Sequence, residues 1–321
     1  MKPDLLLVGG TTPRTLSALE ERFTVHRTTE IADMDAFLAE KGDAILGVAT
    51  NGHDGLAPEV MARLPNLEII SCYGVGYDAI DAKAAAARGI VVTHTPDVLN
   101  ADVANTAIML LLAVSRRLLR DDAFLRAGKW TGFGGAPLTD SIEGRKVGIL
   151  GLGRIGETIA HKLSVFNCEI AYHTRTRRDT PYRYYDRLVD LARDVDYLIV
   201  ITPGGAATRK LVNREVIEAL GPNGTLINIA RGSVVDEKEL VAALLDGRLG
   251  AAGLDVFEDE PHVPQALLPL DNVILLPHVG SATVETRRAM GDLTVENLVR
   301  YFTDGTVTSP VPECAAIAKT G

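Results

Sequence analysis

Twelve residues, Ile149 to Ala160, constrain this chain more than any others. An apolar run, Lys146-Val147-Gly148-Ile149-Leu150, meets Gly151-Leu152-Gly153-Arg154-Ile155-Gly156, and then a pattern that continues at helical spacing. That order reads as strand, tight turn, helix. The first glycine permits the sharp reversal, the second lets backbone approach a pyrophosphate, and the third lets helix pack on strand. The helix N-terminus then directs its N–H groups and positive dipole end at the phosphates. A glycine-rich turn also serves plain strand–helix packing. In this context it predicts dinucleotide binding, with Gly151, Gly153, Arg154, Ile155 and Gly156 at the cofactor.

The rest of the chain carries the same rhythm. Short apolar runs at Leu5–Val8, Phe23–His26, Ala44–Ala49, Leu67–Ser71 and Ile90–Thr93 predict strands. Helical stretches separate them at Thr15–Arg22, Met34–Lys41, Pro58–Leu64 and Ala79–Arg88. Such βα alternation predicts a parallel sheet with helices on both faces. A long helix follows over Val98–Leu119, capped by Asn100 or Asp102; its apolar residues, Leu110, Leu111, Leu112 and Val114 among them, lie nearly all round and predict burial. Gly128–Gly144 reads as a long functional or partner-contacting loop. A second series has strands at Val147–Leu150, Glu169–His173, Tyr197–Ile201, Thr225–Ile229, Ala251–Val256 and Val273–Leu276, as in a doubly wound dinucleotide domain. A last helix, about Ala282–Tyr301, is long enough to return to the first domain. The expected domains are therefore 1–99 with 287–321 and, inserted between them, 100–286, hinged near 98–102 and 284–290.

Bulk properties narrow the function. A chain of 321 residues exceeds one typical core. Its net charge of −9 disfavours nucleic acid and anionic membrane as main partners. Cys72, Cys168 and Cys314 lie far apart without ligand spacing, which fits a reducing cytosol and no structural metal. The N-terminal apolar run is too short for a signal peptide, and Ala107–Val114 is too short to span a bilayer. The expectation is a cytoplasmic protein.

Several motifs, in order, then carry a resemblance. They are Ser71-Cys72-Tyr73-Gly74-Val75-Gly76-Tyr77-Asp78, Thr95-Pro96-Asp97-Val98, the glycine turn, Asn228-Ile229-Ala230-Arg231-Gly232, Leu254-Asp255-Val256-Phe257-Glu258-Asp259-Glu260-Pro261 and Pro277-His278-Val279-Gly280-Ser281. Each alone is unspecific. Together, across nearly the whole chain, they resemble the D-isomer-specific 2-hydroxyacid dehydrogenase family, particularly its glyoxylate/hydroxypyruvate and hydroxyphenylpyruvate reductases. The resemblance implies an α/β fold of two doubly wound parallel-sheet domains, a Rossmann cofactor domain inserted into a flavodoxin-like substrate domain.

It also implies roles. Reducing a 2-keto acid needs a hydride donor, a carboxylate clamp, a cation to polarise the carbonyl, and a proton donor. Arg231 stands at a strand's carboxyl end, where its planar fork suits a carboxylate and keto oxygen, with Ala230 and Gly232 clearing space. His278 can protonate the alkoxide, and Glu260, eighteen residues earlier, would bond its other ring nitrogen and favour the imidazolium. Beside Glu260, Glu258 and Asp259 read as an ordinary acidic loop; Pro261 sets Glu260 apart by matching the family's acid–proline pair. Val75 and Gly76 would grip the substrate carboxylate through backbone N–H groups. Asp255 matches the residue that orients the nicotinamide carboxamide, although a helix N-cap is an alternative. Thr202, Pro203 and Thr208 match the stretch along the cofactor, with Ala230 and Gly280 also beside it. Gly204-Gly205-Ala206-Ala207 departs from the family's usual sequence there. The other histidines, His94 among them, read as core or surface residues.

The second strand of the cofactor domain decides between nicotinamide cofactors. An NAD-preferring site ends that strand with an acid for the ribose 2′-hydroxyl. Here Glu169 only begins it, roughly 13 Å short of the ribose end at about 3.3 Å per residue. The end itself reads Thr174-Arg175-Thr176-Arg177-Arg178, hydroxyls and guanidiniums that suit a 2′-phosphate. NADPH is expected, on Thr174, Arg175 and Thr176, with Arg177 secondary; NADH is possible but less favoured.

The resulting expectation is an NADPH-dependent reductase of a small 2-keto acid, glyoxylate or hydroxypyruvate, giving the D-2-hydroxy acid. The alternatives are a reductase of aromatic or larger 2-keto acids and, from another class, a nucleotide-sensing interaction protein like the corepressors built on this fold. Tyr73, Tyr77, Trp130 and Phe133 could shape either pocket. The loop 128–144 and the helix before it match the family's dimer arm, so a two-fold homodimer is expected.

Overall fold

The computed structural model describes residues 2–132 and 135–321, so Phe133 lies outside the described residues. The chain forms two compact units, Met1–Leu99 with Ser281–Gly321, and Asn100–Gly280.

The first unit is built on β1 (Asp4–Leu7), β2 (Thr24–Arg27), β3 (Ile45–Asn51), β4 (Ile69–Tyr73) and β5 (Val91–Thr93), with helices α1 (Pro13–Arg22), α2 (Met34–Lys41), α3 (Pro58–Ala62) and α4 (Ala82–Ala87). The strands are parallel in the order β2-β1-β3-β4-β5. Neighbouring apolar residues on a strand point to opposite faces, which is why the runs are continuous rather than alternating. Leu6, Val48, Ile70 and Val92 pack against Leu38, Met61 and Ala85 from α2, α3 and α4. Leu5, Leu7, Ile69 and Val91 pack against Leu19 of α1 and, on the other end of the chain, Leu298. The α4 helix begins three residues later than its alanine run suggests, because the Asp81 carboxylate accepts the Ala84 N–H at 2.9 Å and sets the cap there.

The second unit opens with α5 (Asn100–Ser115) and α6 (Leu118–Arg126). Then come β6 (Lys146–Leu150), α7 (Arg154–Leu163), β7 (Glu169–His173), β8 (Arg183–Tyr184), α8 (Leu188–Asp194), β9 (Tyr197–Val200), α9 (Arg214–Leu220), β10 (Thr225–Asn228), α10 (Glu237–Leu245), β11 (Ala251–Leu254) and β12 (Val273–Leu275). All pair in parallel, in the order β12-β11-β10-β9-β6-β7-β8. Strand order reverses between β6 and β9, the place where open α/β sheets leave a ligand crevice. Two parallel-sheet α/β folds are thus what the chain adopts. The two-residue β8 had no apolar run to announce it.

One long helix was expected where two occur. Arg117 takes a left-handed conformation (φ 47°) and separates α5 from α6. Nor is α5 buried all round. Leu110 and Leu111 face the core, with Leu110 against Gly253 of β11, but Met109 is 48% exposed. Among the described residues of the unit, nothing covers that side. The chain returns to the first unit through α11 (Val284–Asp304), whose cap is Thr283 accepting the Thr286 N–H. No helix among the described residues is long and apolar enough to cross a membrane.

Candidate active site

The glycine turn sits at the carboxyl end of β6, and its three glycines meet three different surroundings. Gly151 has φ 104°, and a Cβ there would lie 2.9 Å from the Thr202 nitrogen, so the ends of β6 and β9 touch through backbone. A Cβ on Gly156 would stand 2.2 Å from the Gly151 carbonyl oxygen, so α7 can approach the turn only without a side chain. Gly153 is the contrast. It forms the N-cap of α7 without a side-chain cap, is exposed, and has no atom within 4 Å of a Cβ position. The missing side chain there leaves room beside the helix N-terminus, as a diphosphate requires. Arg154 is exposed at the first turn and Ile155 is half-buried.

At the end of β7 the polar loop is shaped before any ligand arrives. The buried Tyr172 hydroxyl accepts the Arg178 N–H at 2.8 Å and donates to the Arg178 carbonyl at 3.1 Å. Thr174 donates to the Thr176 carbonyl at 2.7 Å, and Tyr184 donates to the Thr174 carbonyl at 3.3 Å. Arg175 and Arg177 are exposed, and among the described residues neither guanidinium forms an ion pair. Glu169 lies at the opposite end of β7, paired with Lys146. Tyr172 escaped the sequence reading because its bond spans a turn that no hydrophobic pattern encodes.

Beyond β9, Thr202 is half-buried and Pro203 exposed. The Thr208 hydroxyl closes this loop by donating to the Pro203 carbonyl at 2.7 Å. After β10 the chain turns because Asn228 accepts the Ala230 N–H at 3.1 Å and donates to the Arg231 carbonyl at 3.1 Å. That bend ends the strand one residue early and presents Arg231, whose Nη1 donates to the Ala230 carbonyl at 2.8 Å. Gly232 does not simply clear space for a ligand. A Cβ there would fall 1.9 Å from the Phe257 carbonyl carbon, so its bareness lets two backbone segments pack.

The densest constellation joins the ends of β11 and β12. His278 Nδ1 lies 2.7 Å from Glu260 Oε2, and Glu260 Oε1 accepts the Phe257 N–H at 3.0 Å. With a carboxylate on Nδ1, that nitrogen donates and Nε2 is left outward; among the described residues Nε2 has no partner. His278 has φ 52°, a conformation rare for a non-glycine residue. Asp255 maintains it. The Asp255 carbonyl accepts the His278 N–H at 2.8 Å, and its two carboxylate oxygens accept Val279 N–H at 2.7 Å and Gly280 N–H at 2.8 Å. Burial raises the Asp255 pKa, and these two backbone bonds oppose the rise by favouring the carboxylate. The competing helix-cap reading of Asp255 is set aside, since it caps a turn rather than a helix.

In the first unit, Val75 and Gly76 follow β4 as half-buried backbone. Tyr73 donates its hydroxyl to the Arg287 carbonyl at 2.9 Å, and Tyr77 to Glu313 at 3.0 Å. Trp130, in the second unit, is 64% exposed.

Comparison with known proteins places this geometry in a family. Residues 108–280 match the D-isomer specific 2-hydroxyacid dehydrogenase, NAD binding domain family. A glyoxylate/hydroxypyruvate reductase A of Arabidopsis thaliana is 49% identical over 294 residues, 91% of this chain and 94% of that protein. A hydroxyphenylpyruvate reductase of Plectranthus scutellarioides is 49% identical over 295 residues, 91% of this chain and 94% of its own. Among solved structures, an NADPH-dependent glyoxylate/hydroxypyruvate reductase of Sinorhizobium meliloti, in complex with NADP and malonate, is 50% identical; it covers 98% of both chains at a TM-score of 0.92. The chain is an oxidoreductase belonging to the D-isomer-specific 2-hydroxyacid dehydrogenase family.

Proposed function

We propose that this protein reduces glyoxylate and hydroxypyruvate to the D-2-hydroxy acid with NADPH. The observation that carries the reading is His278, held at Nδ1 by Glu260 with Nε2 outward. Once bound, the nicotinamide would supply the hydride. His278 Nε2–H protonates the oxygen as the keto carbon is reduced, and Glu260 holds the ring through Nδ1. Arg231 offers parallel donors to the carboxylate and keto oxygen, and the Val75 and Gly76 N–H groups form a second carboxylate contact. Gly153, Arg154 and Ile155 would border the pyrophosphate, with Gly151 and Gly156 shaping the turn that holds it. Thr174, Arg175 and Thr176 would hold the 2′-phosphate, helped by Arg177. Thr202, Pro203, Thr208, Ala230, Asp255 and Gly280 would complete the cofactor cradle, Asp255 chiefly by fixing the 278–280 turn. Steady-state rates with glyoxylate, hydroxypyruvate, pyruvate and phenylpyruvate, each with NADPH and NADH, test the reading. It predicts the highest kcat/KM for the first two with NADPH. Inactivity toward all four would overturn it. The hydroxyphenylpyruvate reductase relative favours a second reading, an aromatic 2-keto acid, and a maximum for phenylpyruvate would select it.

The same proposal includes a cytoplasmic, two-fold homodimer. Met109, Leu118, Leu119 and Leu125 leave an exposed apolar face on α5 and α6, which run into the 128–144 loop. Light scattering that finds a monomer at micromolar concentration would reject the dimer.

A further inference from the structure

His94 reads in the sequence as a core or surface residue, and it lies behind the Val75–Gly76 loop. It follows β5, is 9% exposed, and its Nδ1 lies 3.0 Å from the Val75 carbonyl oxygen. A carbonyl can only accept, so Nδ1 carries the proton and donates. The next residue acts in the same way through backbone: Thr95 N–H donates to the Gly74 carbonyl at 2.8 Å. Both peptides are trans, with carbonyl and N–H pointing in opposite directions across one plane. Holding the Gly74 carbonyl therefore aims the Val75 N–H away from the 94–95 segment, and holding the Val75 carbonyl does the same for the Gly76 N–H. Among the described residues neither N–H has an acceptor, and both belong to half-buried residues. Two adjacent, outward N–H groups without partners are a ready anion site.

The ring itself is fixed. Tyr77 packs edge-on against it, with ring centroids 5.4 Å apart and planes at 86°, and the Tyr77 hydroxyl is anchored on Glu313 at 3.0 Å. The imidazole thus cannot swing away from Val75 without displacing a tyrosine that is tied at its far end.

The geometry points to His94 as a positioning residue that presents the Val75 and Gly76 N–H groups to the substrate carboxylate. This rests on the proposed 2-keto acid reduction. It touches no reacting atom, so its loss weakens carboxylate binding and leaves the hydride and proton steps in place.

The test uses three variants of the full chain. His94→Ala removes the donor. His94→Asn keeps an amide nitrogen at the Nδ1 position, while His94→Gln carries the same amide one carbon further and serves as the disrupted form if His94→Ala does not fold. With NADPH saturating, the KM for glyoxylate should rise about tenfold in Ala and Gln, the scale of one well-placed hydrogen bond, with kcat within about threefold. Asn should restore KM. The Kd of oxalate, measured by calorimetry, should follow KM, while the Kd of NADPH stays unchanged in all three. Unchanged oxalate binding in folded Ala or Gln, or equal losses in Asn and Gln, would overturn the assignment. So would a fall in kcat at constant KM, or wild-type protein that binds no oxalate. If wild-type protein reduces no 2-keto acid, the proposed reaction fails, while the oxalate series still decides the role of His94.

Discussion

Glu260 grips His278 with both ends of its carboxylate engaged: Oε2 lies 2.7 Å from the ring Nδ1, and Oε1 accepts the Phe257 N–H. The carboxylate cannot rotate away without releasing that N–H. It is therefore a fixed charge beside the ring, and it leaves Nε2 outward for the proton transfer proposed above.

Replacing Glu260 with Gln keeps the shape and removes the charge. A neutral amide gives Nδ1 a weaker partner than the carboxylate does, so the ring is held less firmly for proton transfer. The kcat for glyoxylate should fall by roughly 10- to 100-fold, the scale of a hydrogen bond to a charged group, while NADPH affinity measured by fluorescence titration stays within about twofold. A folded Glu260→Gln protein with wild-type kcat would break the dyad.

Arg175 is exposed on a loop that Tyr172 already holds in shape. Arg175→Ala should weaken NADPH by about 10- to 100-fold, the scale of a hydrogen bond to a charged group. NADH, which has no 2′-phosphate, should be nearly unaffected. Binding titrations with both cofactors check this, and equal losses would count against a phosphate at Arg175.

Two glycines in one turn should fail in different ways. Gly156→Ala forces a Cβ to 2.2 Å from the Gly151 carbonyl oxygen and should destabilise the fold by about 1–3 kcal/mol. Gly153→Ala meets no atom within 4 Å, so its melting temperature should stay near wild type while NADPH binding falls about tenfold. Thermal melts and cofactor titrations of both variants separate the roles; a Gly153→Ala protein with normal NADPH affinity would contradict the cradle.

How much of this was legible in the chain depends on how local each cause is. The glycine turn could be read because its steric demands lie within a few neighbouring residues. The strands could be read because strands buried on both faces are continuous apolar runs, and both sheets formed as expected apart from the two-residue β8. Glu260 and His278 are eighteen residues apart with no periodicity between them, and only the family's motifs drew attention to the pair. Asp255 was placed as a cofactor residue, while its lock on the 278–280 turn exists only once β11 and β12 are side by side. The break at Arg117 was invisible, since nothing in a run of Ser115-Arg116-Arg117-Leu118 forbids a helix. His94 was passed over for the same reason as Tyr172. Its partner is a backbone carbonyl nineteen residues away, and backbone carbonyls have no signature in sequence.

The most direct measurement is the single-turnover and steady-state reduction of glyoxylate by NADPH in wild-type protein and in His278→Ala. With Nε2 as the proton donor, turnover should fall by about 10²- to 10⁴-fold, the usual worth of a positioned acid, while NADPH binds as before. Near-normal turnover in a folded His278→Ala protein would contradict the account.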